Sequence, residues 1–174
     1  MNILTNFQVS LFCLAIGQDP KELPVAIVNA ENNGMACDFS GNFSLECPMS
    51  LTGAFGLPEP NEHLANFTCR YLSFIDTNIA NLVYYHDLQS AIQSVEDGES
   101  WGVVSMSQNF TENLYARVLD SMSNSDLQSV DLDLMDKSSI KIHMDVTNQH
   151  IAFTLQLKFV EAFEAFTKQL VSYF

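Results

Sequence analysis

Leu23-Pro24-Val25-Ala26-Ile27-Val28-Asn29 is a continuous apolar run, bounded by the turn signal Gly17-Gln18-Asp19-Pro20 on one side and a polar Asn on the other. A run of this length without polar alternation suits a strand covered on both faces. Trp101-Gly102-Val103-Val104-Ser105-Met106 is a second run of the same kind. Strands covered on both faces belong to sheets with helices on either side, so these two segments point to an α/β fold.

The residues between them carry helical spacing. From about residue 62, Leu64, Phe67, Tyr71, Phe74, Ile75, Ile79, Leu82 and Val83 recur every three or four positions, which predicts one amphipathic helix over about 62–83. Leu88, Ala91, Ile92 and Val95 predict a shorter helix, with Asp87 at its start and Gly98 just past its end. Beyond the second strand, Asn109-Phe110-Thr111-Glu112 has the form of a capping box, with Asn109 placed to accept from the Thr111 or Glu112 N–H, and predicts a helix to about Met122. Residues 123–138 are rich in Ser, Asp and Asn and read as an exposed connection. Ile140, Ile142, Met144 and Val146 alternate with Lys141, His143 and Asp145, the pattern of a half-buried strand. Residues 149–174 then place Ile151, Leu155, Phe159, Phe163, Phe166, Leu170 and Phe174 at helical spacing, with Glu164 and Lys168 as an i,i+4 pair. The expected architecture is a small mixed sheet with crossover helices and a long C-terminal helix. Residues 30–61, with four Gly, Pro48, Pro58 and Pro60, form a long loop.

The 174 residues carry seven Lys+Arg against 21 Asp+Glu, a net charge of −14, which repels nucleic acid and anionic lipid alike. At 47% hydrophobic residues the chain has enough apolar material for one domain and is not a disordered sequence. Met1 to Ile16 contains eleven apolar residues and no charged side chain. It is too short for a complete span and lacks a basic leader and a small-residue cleavage site. It reads as the outer end of a transmembrane helix (residues 1–16), expected to project from the body, with 17–174 forming a single extracellular α/β domain. A buried core helix and a weak signal peptide are the alternatives.

Three sequons, Asn42-Phe43-Ser44, Asn66-Phe67-Thr68 and Asn109-Phe110-Thr111, make Asn42, Asn66 and Asn109 candidate glycosylation sites on a secretory route. Cys37, Cys47 and Cys69 lie in the loop-rich region, whereas Cys13 sits in the apolar segment. Three candidates make one bridge and one leftover thiol, with all three pairings open; Cys69 is expected to bond to Cys37 or Cys47.

The sequence has no phosphate-binding G-x-x-x-x-G-K-[ST] loop, no G-x-G-x-x-G after a strand, no G-x-S-x-G and no H-E-x-x-H. His63, His86, His143 and His150 are scattered, without the i,i+4 spacing of a metal pair. Asp131, Asp133 and Asp136 lack the Gly and Glu of a calcium loop and read as a solvated acidic turn. No catalytic residue, cofactor site or metal site is expected.

Four stretches, Leu11 to Gly17, Leu23 to Asn29, Ala91 to Asn109 and Asp145-Val146-Thr147-Asn148-Gln149-His150-Ile151, together resemble the large extracellular loop of type-2 ABC exporter permeases, in particular the arthropod H subfamily, which is related to the G subfamily. In that family the first transmembrane helix runs into a "PVAIVN" strand. A later "G-x-x-x-G-V-I" strand leads to a helix starting "N-F-S/T", matched here by Gly98 to Val104 and Asn109-Phe110-Thr111. A "M-D-x-[ST]-N-Q-x-I" turn, matched by Met144 to Ile151, leads toward the second transmembrane helix. The resemblance implies a non-catalytic extracellular domain of an ATP-driven exporter of lipid-like or hydrophobic cargo, at the outer side of the cell membrane. Its implied partners are the remainder of the transporter, namely membrane helices and a nucleotide-binding domain, a second copy forming a homodimer, and the lipid-like substrate. The chain itself departs from the family in carrying no nucleotide-binding domain and no complete span. A secreted binding module for apolar ligands is the alternative from a different class.

Because backbone donors must be pre-arranged to hold phosphates, the purified chain is expected neither to bind nor to hydrolyse ATP. Stoichiometric, Mg-dependent binding in calorimetry would contradict this.

Overall fold

The apolar run 23–29 forms β1 (Leu23–Asn29), in which Val25, Ala26 and Ile27 are inaccessible to solvent. A computed structural model describes residues 20–37, 39, 66–123 and 132–171. Its remaining elements are α1 (Phe67–Ser73), β2 (Ala80–Tyr84), α2 (Leu88–Glu96), β3 (Gly102–Met106), α3 (Phe110–Ser123), α4 (Leu132–Lys137), β4 (Lys141–Met144) and α5 (Gln149–Val171). A 3-10 turn, Ala30–Asn32, follows β1 directly.

The four strands form one mixed sheet in the order β2-β1-β3-β4. β1 runs parallel to both β2 and β3, and β4 pairs antiparallel with β3. Central position explains the apolar run: Val25 and Ile27 enter a core with α1, α3 and α5, while Ala26 and Val28 meet Ala91, Ile92 and Val95 of α2 on the other face. The expected α/β class, mixed sheet and long C-terminal helix are all present. The predicted caps of α2 are present too: Asp87 accepts from the Ser90 N–H at 2.8 Å, and Gly98 adopts φ +75 just past the end. The Ser90 hydroxyl and N–H hold the Asp87 carboxyl below its usual range.

Three expectations need correction. The single helix over about 62–83 is α1, a turn and the parallel strand β2. Asp76 accepts from the Asn78 N–H at 3.0 Å, a turn that stops the helix, and Ile79 to Tyr85 is rich in branched and aromatic residues that suit a strand beside β1. The expected connection over 123–138 contains α4, where Lys137 pairs with Asp133 and Lys141 with Asp136; Asp131 lies outside the described residues. At β4 the expected half-burial holds for Ile140 and Met144, which pack against the core, but not for Ile142 or, past the end of the strand, Val146, which are open to solvent.

α5 buries Ala152, Leu155, Phe159, Ala162, Phe166 and Leu170, a stripe at three- and four-residue spacing. Phe163, expected in the core, is displaced onto the exposed side because Ala162 takes that core position. α5 runs alongside α1: the Phe166 ring meets Phe67 and Tyr71 edge-on at centroid distances of 6.0 and 6.2 Å, and Arg70 Nε donates to Gln169 Oε1 at 2.6 Å. Burial pushes the Tyr71 phenol up to about 12. Among the described residues no helix is long and apolar enough to cross a membrane. The segment 1–16 lies outside the described residues.

Phe166→Ala removes a 2% exposed ring from the contact of α1 with α5 and is expected to cost about 3 to 5 kcal/mol in chemical unfolding. Leu132→Ala, at a side chain 75% exposed, should cost under about 0.5 kcal/mol. Similar losses for the two would contradict this packing.

Candidate functional site at the carboxyl end of the sheet

In α/β sheets whose strand order reverses about the first strand, ligands bind in the crevice at the carboxyl ends of the strands flanking the reversal. Here those strands are β1 and β3, because β2 lies on one side of β1 and β3 on the other. The crevice is therefore bounded by Asn29 and the turn after β1, and by Met106 and the start of α3.

The chain's own groups fill it. Glu31 in the 3-10 turn accepts from the Thr111 N–H through Oε1 and from the Thr111 hydroxyl through Oε2, both at 2.8 Å. Thr111 Oγ1 in turn accepts from the Phe67 N–H at 3.0 Å. Thr111 and Phe67 are first-turn residues of α3 and α1, so one carboxylate, relayed through one hydroxyl, satisfies donors at two helix N-termini. The Thr111 donors that an incoming phosphate or carboxylate would use are taken by Glu31.

Beneath this junction Asn29 is fully buried. Its Oδ1 accepts from the Asn32 N–H at 3.2 Å, and its Nδ2 faces Cys37 Sγ and Cys69 Sγ at 3.7 and 3.8 Å. Cys37 and Cys69 form a disulfide across a separation of 32 residues. Closing such a loop contributes about 3.5 kcal/mol in the chain-entropy model. The structure thus selects Cys37 from the pairings the sequence left open; Cys47 lies outside the described residues. Gly34 completes the turn at φ +73, where a Cβ would stand 2.7 Å from His86 Cα, so no larger residue fits. His86 Nδ1 lies 3.1 Å from the Asn33 carbonyl oxygen.

The sequons fall around the same junction. Asn66 caps α1: its Oδ1 accepts from the Cys69 N–H at 3.0 Å and from the Thr68 hydroxyl. Asn66 is half-buried and Thr68 fully buried. Asn109 is exposed at the start of α3, where its carbonyl accepts from the Asn113 N–H at 3.0 Å. The Thr111 N–H expected to go to the Asn109 side chain goes to Glu31 instead. The sequon Asn whose side chain caps a helix start is Asn66. Asn42 lies outside the described residues, as does His63. His143 is exposed on β4, and among the described residues no cluster of His, Cys, Asp or Glu could hold a metal ion. Glu31 was missed by sequence reasoning, since it lies 80 residues from Thr111 and no local pattern links them.

These features define a small α/β domain with a parallel core, an antiparallel edge strand and a carboxyl-end junction held by its own carboxylate and disulfide. No family model matches the chain, and no solved structure matches it. The chain is similar to ABC transporter G family member 23 of Dictyostelium discoideum, at 23% identity over 155 residues. The match covers 89% of this chain and 16% of that protein, so the chain spans a small part of the relative's length. This similarity supports a relationship to ABC transporters of the G family.

Thr111→Val, which keeps the shape but removes the hydroxyl relay, is expected to destabilise the unglycosylated domain by about 2 kcal/mol, and Thr111→Ser by under about 1 kcal/mol. In the same material Asn66→Ala should cost about 1 kcal/mol, more than Asn109→Ala. Denaturant midpoints that rank either pair the other way would contradict the assignment of caps.

Proposed function

We propose that this chain is the extracellular domain of an ATP-driven ABC exporter permease of the G or H type, without catalytic activity of its own, and that it caps the export pathway for lipid-like or hydrophobic cargo. The observation that carries this reading is the similarity to a G family transporter along 89% of the chain, within a stretch that is only 16% of that protein. A domain-sized piece of a transporter that lacks phosphate-binding motifs fits a part outside the nucleotide-binding domain. Residues 1–16 form the outer end of the first membrane span. A buried disulfide supports an oxidising compartment, and the exposed Asn109 leaves room for a glycan. Membrane helices and a nucleotide-binding domain are the partners, a second copy is the expected counterpart in the assembled transporter, and the strongly acidic surface keeps the domain off anionic lipid headgroups.

The test is a topology measurement on the complete product of the gene in its host cells. An epitope inserted at Thr77, in the exposed turn between α1 and β2, is expected to bind antibody on intact cells, and Asn109→Gln is expected to remove one glycosidase-sensitive step in mobility. An epitope reached only after permeabilisation, with no glycosidase-sensitive step, would overturn the reading.

A further inference from the structure

The sequon Asn66-Phe67-Thr68 and the disulfide share one turn of helix, because Cys69 follows the sequon directly and is bonded to Cys37. In the folded domain each of the sequon's residues is engaged. Asn66 Oδ1 accepts from the Cys69 N–H at 3.0 Å and from the Thr68 hydroxyl, and the Phe67 N–H donates to Thr111 Oγ1 at 3.0 Å. Thr68 is inaccessible to solvent, Phe67 lies in the core against Phe166, and Asn66 itself is half-buried. Glycan transfer to Asn-x-Ser/Thr needs the Asn amide and the hydroxyl two residues on to be presented together on accessible chain. A helix turn with that hydroxyl buried does not present them.

The sequon Asn109-Phe110-Thr111 provides the contrast. Asn109 is exposed, and it is its backbone carbonyl that accepts from the Asn113 N–H. Thr111 is buried as well, but the hydrogen bonds from Glu31 that engage it form only when the end of β1 and the start of α3 meet across the assembled sheet. The bridge differs in kind and in timing. Cys37 is already made when Cys69 is added, and Cys69 lies just past the acceptor Asn66 in the order of synthesis. The covalent bond, spanning 32 residues, can therefore close before β3, α3 and α5 exist. Once closed, it holds the turn that carries Asn66 beside Asn29, whose Nδ2 faces both sulfurs.

We propose that Asn66 is a modification site closed by the fold: formation of the Cys37–Cys69 bridge withdraws Asn66-Phe67-Thr68 from glycan transfer, so the mature domain carries a glycan at Asn109 and none at Asn66. The inference rests on the extracellular reading, since both reactions belong to the secretory route. In one, the two thiols are oxidised to a disulfide, and their two electrons and two protons reduce a disulfide oxidant of the compartment to two thiols. In the other, the Asn66 amide nitrogen loses a proton and bonds to the anomeric carbon of a lipid-linked sugar, whose diphosphate carrier leaves. Occupancy at Asn66 thereby records whether transfer came before or after bridge closure.

The test places the full chain behind a cleavable secretory signal, so that both sequons enter an oxidising lumen whatever the topology of the native product. Cys47→Ser is the parent, which leaves Cys37 as the loop partner of Cys69. Glycopeptide mass mapping then compares it with the same chain carrying Cys37→Ser, a change far from the sequon that removes the bridge. Occupancy at Asn66 is expected to be low in the parent and to rise at least several-fold without the bridge, while Asn109 is occupied in both. A dithiol reductant added to the parent during synthesis should raise Asn66 in the same way. Glu31→Ala, which loosens the same junction but keeps the bridge, should leave Asn66 bare. Equal occupancy at Asn66 with and without Cys37, whether high or absent, would overturn the proposal. So would a rise in Glu31→Ala as large as that in Cys37→Ser, which would assign the protection to folding at large, or an Asn109 left bare in the parent. Failure of the extracellular reading registers separately, in the epitope measurement on the native gene product.

Discussion

The carboxylate of Glu31 on Thr111 is the contact that the rest of the domain leans on. It joins the end of the central strand to the start of α3 and, through the Thr111 hydroxyl, to the start of α1. The helix dipoles favour a negative group at this position, and the partly buried setting strengthens hydrogen bonds to it. Asn29 and the Cys37–Cys69 disulfide lie directly beneath, so the turn that carries Glu31 is held from both sides. β1 is thereby fixed at its carboxyl end by side chains and along its length by two parallel neighbours.

Much of the fold can be read from residues that interact over short sequence distances. β1 and β3 announce themselves as unbroken apolar runs because both faces of each are covered. α2 is marked by Asp87 and Gly98, whose capping roles are local. The region from 62 to 83 misleads because Ile79, Leu82 and Val83 continue a three- and four-residue spacing by coincidence, while the Asp76-Thr77-Asn78 turn that breaks it is only three residues long. Phe163 misleads for a related reason: the small Ala152 and Ala162 are core residues of α5, and a pattern built on large side chains alone passes over them. The junction at the carboxyl end of the sheet was the least legible part. A Glu in a loop has no signature that names a Thr 80 residues away, and the choice of Cys37 over Cys47 depends on how that loop is folded.

The closed crevice bears on function through chemistry rather than resemblance. Sheets with this strand order commonly hold nucleotides or other anions where β1 and β3 end, using free helix N-terminal donors. In this protein those donors serve the fold, which agrees with the lack of a glycine-rich phosphate loop in the sequence. The similarity to a G family transporter concerns a stretch that is a small share of that protein. The sequon Asn66-Phe67-Thr68 shares its residues with this same structural junction, so its side chains have work in the folded state with or without a glycan.

The central claim is that the chain's own carboxylate seals the end of the sheet where a ligand would otherwise sit. Amide hydrogen exchange at Thr111 and Phe67, compared with Val103 and Val104 inside β3, tests it most directly. Exchange of all four through the same global opening, with Thr111 and Phe67 selectively accelerated in Glu31→Ala, is the expected result. Free-peptide exchange at Thr111 in the unaltered protein, or no change on removing the carboxylate, would contradict it.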